Sequence, residues 1–370
     1  VSSDPEDQWY VTNWNYRKEI TVNKNMVQEN LTDFPIYIDI IDTDLRDHAQ
    51  TDADDIVFTT NETPNPTKLS HEIETYNPSN GHLTAWINIP TLSSTQDTKI
   101  YMYYGNPTTT NQQDIPGTWN NDFEAVYHLK ETWSATTGHF KDSTENNHDG
   151  TLTDTDGDST SETGIAGNAF RFNGDADHIN IGVINQPQPI TYSCWLKADN
   201  IDTAQCALGR YWNGYYLGTY PWGSGVLRKN ILVNYNWGSY RTTTGVNSNT
   251  WYLLTVTYDG ETIRYYTNGQ EEPNQAITGT LSSTHFPWHI GDNGNNGWHF
   301  DGVIDEVIIA NACLSGNWIS TYYNNINDPS TFYTIGLQED ISGVPPVISN
   351  NNPSDGETDV ELNPILQAEL

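Results

Sequence analysis

The sequence predicts an all-β protein, an N-terminal β-sandwich followed by a second, larger β domain. Three observations predict it. Short runs that alternate apolar and polar residues recur along the chain, separated by turn clusters such as Asn80–Gly81. Thr, Asn, Gly, Tyr and Trp are plentiful, and no long amphipathic helix is visible. The stretch from Phe300 to Ser315, FDGVIDEVIIANACLS, reads as a strand that is apolar on both faces, as a central strand must be.

That strand carries one acidic pair. Simple alternation places Val303, Asp305, Val307 and Ile309 on one side and Ile304, Glu306 and Ile308 on the other. A carboxylate inside a buried strand must be ion-paired, hydrogen-bonded or bound to a metal. No Lys or Arg follows Arg264, so the C-terminal part of the chain offers no such cation. Backbone donors or a calcium ion remain.

The first domain, residues 1–112, has strand patterns at Tyr16–Val22, Phe34–Ile40, Asp55–Thr60, His71–Tyr76, Leu83–Ile89 and Lys99–Gly105. Within it, Glu72 and Glu74 share a strand face and His71 points the other way, which reads as a polar strand face. Residues 107–118 are polar with two prolines and read as a boundary. Residues 113–340 form the larger domain. It ends in NWISTYYNNINDPSTFYTIG, read as a short helical turn and a last strand. Residues 341–370 form a linker and the beginning of a further module, so the chain reads as cut from a longer protein.

Fifteen basic residues face 48 acidic ones, for a net charge of −33. This excess disfavours nucleic acid and anionic membranes as partners. No apolar run is long enough to cross a membrane. Cys194, Cys206 and Cys313 lack metal-site spacing; a Cys194–Cys206 staple and free buried thiols both remain open.

Several motifs carry a family resemblance. Trp14–Lys18, Asp55–Phe58, His71–Glu74, Ala85–Pro90 and Tyr101–Asn106 resemble, in order, the hallmarks of a domain of unknown function found in archaeal and bacterial surface proteins. That resemblance implies a fold and an extracellular, cell-surface location; the domain carries no known activity, so it implies no mechanism. The second domain resembles the laminin-G-like modules of the concanavalin A-like jelly-roll superfamily. The matching blocks are Asp142–Thr151, Ala169–Gly174, Thr191–Leu196, Trp251–Gly260, Tyr265–Gly269 and Phe300–Ser315. A departure is Ile308, where the family usually has a basic residue. The final stretch resembles the first strands of an immunoglobulin-like module.

The superfamily resemblance implies a structural calcium ion. Its ligand role falls on Asp305, with Asp175, the Asn173 and Gly174 carbonyls and Asp142 as partners; calcium takes six to eight hard oxygens. Asp154, Asp156 and Asp158 alternate like the opening of an EF-hand, but the glycine is misplaced and Ile165 stands where a glutamate is required, so a solvated acidic loop is expected.

Residues 211–240 are dense in Trp and Tyr. Flat rings stack on sugar faces, and Asn and Asp beside them bond hydroxyls. Trp212, Tyr216, Trp222, Trp237, Trp288 and Trp298 are the candidate glycan contacts, while Trp195 and Trp251 are expected in the core. No E-x-D-x-x-E run, GxSxG, HExxH, P-loop or GxGxxG is present, so the expectation is a non-enzyme. The sequence therefore predicts a calcium-stabilised, carbohydrate-binding or adhesin-like segment of a secreted cell-surface protein, its partner a glycan or polysaccharide. The alternative is a structural subunit of an extracellular fibre or surface layer that contacts copies of itself or neighbouring surface proteins. A glycoside hydrolase ranks third.

Overall fold

A computed structural model describes residues 10, 13–61, 66–120, 122–154, 157–184, 188–210, 214–220, 226–234, 236–242, 246–281, 286–294 and 297–341. The architecture is all-β, as expected. The first unit is a sandwich. One sheet pairs Leu31–Ile41, His82–Leu92 and His71–Asn77 in that order. The other places Tyr16–Val22 beside Thr98–Tyr104, then Val57–Thr60 and Lys68–Leu69. Ile20, Val22, Phe58, Ile100 and Met102 from one sheet meet Phe34, Ile36, Leu83, Ala85 and Ile87 from the other, the alternation that the sequence displays.

The free edge of Tyr16–Val22 is covered from far along the chain. Tyr333–Ile335 pairs with it antiparallel, Ile20 opposite Ile335, and Glu339–Asp340 continues the same edge opposite Arg17 and Tyr16. An edge strand with unpaired N–H and C=O groups invites pairing, and here the end of the described chain supplies it. The expected last strand of the jelly roll thus completes the N-terminal sandwich.

The jelly roll stacks an eight-stranded sheet on a seven-stranded one. In the first, Asp301–Ala310 lies between Asn168–Asn173 and Ile190–Ala198, and its far half also pairs with Phe123–Tyr127. In the second, the order is Asn236–Thr242, Val226–Val233, Tyr215–Tyr220, Gln205–Arg210, Trp288–Ile290, His178–Asn180 and Thr151–Thr153. Between them lie Tyr192, Cys194, Leu196, Tyr215, Leu217, Ile231, Trp288 and Ile290. All three cysteines are free thiols, Cys194 and Cys206 buried.

The expected helical turn is a 12-residue helix, Gly316–Asn327, with Ser315 accepting from the Trp318 amide at its start. It buries Trp318, Ile319, Tyr322 and Ile326. These side chains join one core cluster with Tyr37 and Trp86 of the first unit and with Trp195, Leu253 and Ile308 on the outer face of the eight-stranded sheet. The two units therefore share a hydrophobic core, and Asp301–Ala310 is apolar on both faces because both faces are covered.

Simple alternation fails in that strand. Ser193 stands opposite Ile308 but Trp195 opposite Asp305, so one extra residue is inserted at Glu306, whose φ is +47°. This is a β-bulge, and it switches which parity faces inward. Ile304 before it and Val307 and Ile309 after it all enter the jelly-roll core, whereas Ile308 joins the core shared with the first unit. Asp305 and Glu306 consequently both project toward the first unit, contrary to the expected opposite faces. Among the described residues no helix is long and apolar enough to cross a membrane, which says nothing about strands.

Candidate functional site

Two constellations stand out, one buried at the junction and one on the outer face of the seven-stranded sheet.

At the junction, His128 follows the Phe123–Tyr127 strand and is 2% exposed. Its Nδ1 lies 2.8 Å from Glu306 Oε1 and its Nε2 3.2 Å from Glu72 Oε2. Glu72 also accepts from Trp119 Nε1, Lys130 Nζ and Ser143 Oγ. Trp86 stacks on His128 at 5.4 Å and on Tyr322 at 6.0 Å. Glu74 accepts from the Asn168 amide at 3.3 Å, but its Oε2 and Glu306 Oε2 have no hydrogen-bond partner. The Glu72–Glu74 face is thus buried and partnered rather than merely polar, while His71 packs the other way against Phe58 at 5.2 Å. The partner of the acidic pair comes from some 180 residues upstream, where a scan of the neighbouring sequence for Lys and Arg could not find it.

Burial would lower His128, yet Glu306 and Glu72 hold it well above the usual imidazole range. Burial would raise Glu72, yet His128 and Lys130 hold it below the usual carboxylate range. Burial pushes Glu74 up to about 7, and it raises Glu306 as well.

The expected calcium ligands do not converge. Asp305 Oδ2 accepts from the Ile165 and Ala166 amides at 2.9 and 3.1 Å, and its Oδ1 accepts from the Glu306 amide at 2.9 Å. Backbone donors thus satisfy this carboxylate, the other option left open by the sequence. Asn173 stands opposite Asp301, four residues from Asp305, or roughly 13 Å along the strand. Gly174 follows it there, donating its amide to the Phe300 carbonyl. Asp142 binds the amides of Val126, Thr144 and His148, closing its own turn. The set Asp305, Asp175, Asn173, Gly174 and Asp142 therefore does not fit one calcium ion. Asn173 Nδ2 instead donates to Asp158 at 2.6 Å and Asp175 is exposed. Carboxylate oxygens of Asp154, Asp158 and Asp177 lie within 4.8 Å of one another there. Trp133, Ser159 and Asn173 already donate to these groups. Asp156 lies outside the described residues.

On the outer face of the jelly roll, Tyr215 and Leu217 point into the core, so Tyr216 between them points out. It is nevertheless buried, because Trp298 lies edge-on against it at 5.5 Å and its hydroxyl donates to the Gln205 carbonyl. The same indole meets Tyr220 at 5.4 Å, and the Arg228 guanidinium sits 4.5 Å over the Tyr220 ring. Trp298 and Tyr220 are half-buried. Beside them, Asp292 is 1% exposed, with His299 Nδ1 3.0 Å and His289 Nδ1 3.4 Å from its carboxylate. Both approaches miss hydrogen-bond geometry, leaving Asp292 Oδ2, His299 Nδ1 and both His289 ring nitrogens unpartnered. His178 stacks on His289 at 4.6 Å, the planes parallel to 1°. Burial would raise Asp292, but the His289 contact and the Gly294 amide hold it below the usual range.

Of the aromatic candidates, the structure keeps Trp298 on the surface and takes two into the interior. Trp288 is 1% exposed between the sheets, against Tyr192 and Tyr215. Tyr216 supports Trp298 rather than facing solvent, because a loop folds over it. Trp212 and Trp222 lie outside the described residues, as does the Trp237 side chain. Sequence reasoning singled out Trp288 and Trp298 but did not select His289, Asp292 or His299 beside them. The run WHIGDNGNNGWHF, which places two Trp-His pairs around one Asp, is the signal that held them.

Residues 172–320 match the family model of the concanavalin A-like lectin/glucanases superfamily, and residues 52–151 match that of a domain of unknown function (DUF2341). The chain thus carries a laminin-G-like jelly roll preceded by that domain. No curated protein matches it. Among solved structures, it is similar to domain 4 of AbnA, a GH43 extracellular arabinanase from Geobacillus stearothermophilus in complex with arabinotriose. The identity is 20%, over 55% of this chain and 98% of that one, with a TM-score of 0.45. It is also similar to the binding domain of Paraclostridial Mosquitocidal Protein 1, with 16% identity over 55% of this chain and 52% of that chain and a TM-score of 0.44. The ligand-binding domain of botulinum neurotoxin serotype D in complex with N-acetylneuraminic acid gives 15% identity, 57% and 52% coverage, and a TM-score of 0.41. At these scores the likenesses carry no argument about function.

Proposed function

We propose that the jelly roll is a non-catalytic carbohydrate-binding unit of a secreted, cell-surface protein, with the glycan lying on the outer face of the seven-stranded sheet. One observation carries the reading. A half-buried indole, Trp298, is braced edge-on by Tyr216 and Tyr220 beside a nearly buried carboxylate, Asp292, whose Oδ2 lacks a hydrogen-bond partner. A braced ring offers a flat apolar surface at little entropic cost, and a ligand hydroxyl can supply the hydrogen bond that Asp292 Oδ2 lacks within the protein. The superfamily match supports this by analogy alone. Hydrolysis by paired carboxylates needs a second acid, and the described contacts of Asp292 are two histidines and a backbone amide. A net charge of −33 favours a neutral glycan over nucleic acid or an anionic surface.

The test is a glycan array on the whole chain, followed by titration of each hit with wild type, Trp298→Ala and Asp292→Asn. The expected result is at least a tenfold loss of affinity in both variants, or about 1.4 kcal/mol. No glycan bound, or equal binding by Trp298→Ala, overturns the reading. Concentration-dependent self-assembly without glycan binding would turn it to a structural subunit.

A further inference from the structure

A second site lies at the junction of the two units. One carboxylate oxygen each from Glu74 and Glu306 and one ring nitrogen of His128 lie within 4.8 Å of one another, all buried. Donors bound at roughly 2.0–2.2 Å to a common ion stand about 3–3.5 Å apart, so small movements close this set on a metal. The cluster also holds unpartnered atoms of its own: Glu74 Oε2, Glu306 Oε2 and the hydroxyl of Tyr322, which is 1% exposed and faces Glu306 without a well-formed hydrogen bond. Buried polar atoms without partners cost stability, and a bound ion satisfies them.

We propose that Glu74, Glu306 and His128 bind a divalent first-row transition-metal ion, with Mn2+ and Zn2+ as the candidates suited to mixed carboxylate and imidazole donors. His128 is arranged for it. Its Nε2 side meets Glu72, the carboxylate partner that metal-bound histidines characteristically have, and its Nδ1 side faces Glu306. The ion takes the position of the Nδ1 proton, which leaves to solvent. Charge favours the exchange. Glu72, Glu74, Asp305 and Glu306 are four enclosed carboxylates against two cations, His128 and Lys130. A divalent ion brings one more positive charge into this cluster than the imidazole proton it displaces. A cleft of about 450 Å³, lined by Glu72, His128, Lys130 and Ser143, opens on the Glu72 side of the imidazole. The bulge at Glu306 and the close approach of Gly167 to Glu74, where a Cβ would lie 1.9 Å from Oε1, fix the two carboxylates in place. Because Glu74 comes from the first unit, the ion ties the two units together.

The experiment loads the whole chain with Mn2+ or Zn2+, dialyses it against metal-free buffer and measures retained metal by mass spectrometry. Wild type and Asp154→Asn should retain one ion per chain, while Glu74→Gln and Glu306→Gln should retain at least tenfold less. Pulsed electron paramagnetic resonance of the Mn2+-loaded wild type should show coupling to one imidazole nitrogen. That readout decides alone if the glutamine variants misfold. No retained metal, retention without nitrogen coupling, or retention unchanged in both glutamine variants overturns the proposal. None of these outcomes depends on glycan binding.

Discussion

Asp305 and Glu306 are consecutive residues of a β-strand, yet both project from the same face of their sheet. The left-handed backbone of Glu306, φ +47°, inserts one extra residue opposite the Ile190–Ala198 strand and resets the alternation. Asp305 thereby reaches the amides of Ile165 and Ala166, and Glu306 reaches His128. One local irregularity converts a jelly-roll core strand into half of an interface.

The bridge through His128 should be worth most as a unit. Removing one partner of a buried ion pair leaves the other charge uncompensated, at about 3 kcal/mol or more. Urea unfolding of metal-free protein should show Glu306→Ala and His128→Ala each destabilised by about that amount. The double variant should fall well short of their sum. Strict additivity would mean that the 2.8 Å contact contributes no coupling.

Asp305→Ala should destabilise the chain by about 1–3 kcal/mol, because three backbone amides lose their buried acceptor. Calcium titration monitored by thermal shift should move wild type and variant equally. A calcium response present in wild type and absent in the variant would return Asp305 to the role of a metal ligand.

Trp288 and Trp298 should separate cleanly. Trp288→Ala empties a large volume between the sheets and should cost about 3–5 kcal/mol, with glycan affinity kept in the folded fraction. Trp298→Ala should do the reverse, losing affinity with a small change in melting temperature. The same pattern in both variants would mean that Trp298 acts only through packing.

His71 gives a pH dependence. Burial against Phe58 lowers its pKa from 6.5 to about 4. Between these values the unfolded chain holds a proton that the folded chain does not, so stability rises with pH there. The contribution is complete above 6.5 and is lost as pH falls toward 4, an effect on the order of 3 kcal/mol. Chemical unfolding from pH 7 to 4 should show a shallower decline for His71→Gln than for wild type. Parallel curves would show that the imidazole is protonated without penalty.

Residues 10–112 on their own should not fold cooperatively. They lack the strands Tyr333–Ile335 and Glu339–Asp340 and expose Tyr37 and Trp86, which are buried against the second unit. Amide proton dispersion in a two-dimensional NMR spectrum reads this directly. Well-dispersed signals would show that the first sandwich closes without its distant edge.

The strands were legible because a half-buried strand writes its two faces into alternate residues. His71–Asn77 and Thr98–Tyr104 lie within a residue of their expected bounds, while His82–Leu92 extends the expected Leu83–Ile89 at both ends. The helix Gly316–Asn327 was shortened in expectation because its apolar face, Trp318, Ile319, Tyr322 and Ile326, is diluted by Asn and Thr. The candidate site was legible in part. Tyr216, in a stretch dense with aromatics, and Trp288, beyond it, both look like surface rings, and only the loop carrying Trp298 and the opposing sheet decide that they are buried.

By itself the sequence determined the all-β class and the strands of the first unit, since these follow from residue periodicity and turn chemistry over short distances; the jelly-roll order came only through the motifs that resemble the laminin-G-like modules. Only the tertiary structure decided which carboxylate meets which partner. The acidic pair looked to its own neighbourhood for a cation, but its partners, His128 and two loop amides, come from strands and loops far away in the chain. The reason is physical: burial makes a partner obligatory for a charged group, but sequence separation places no limit on where the fold finds one.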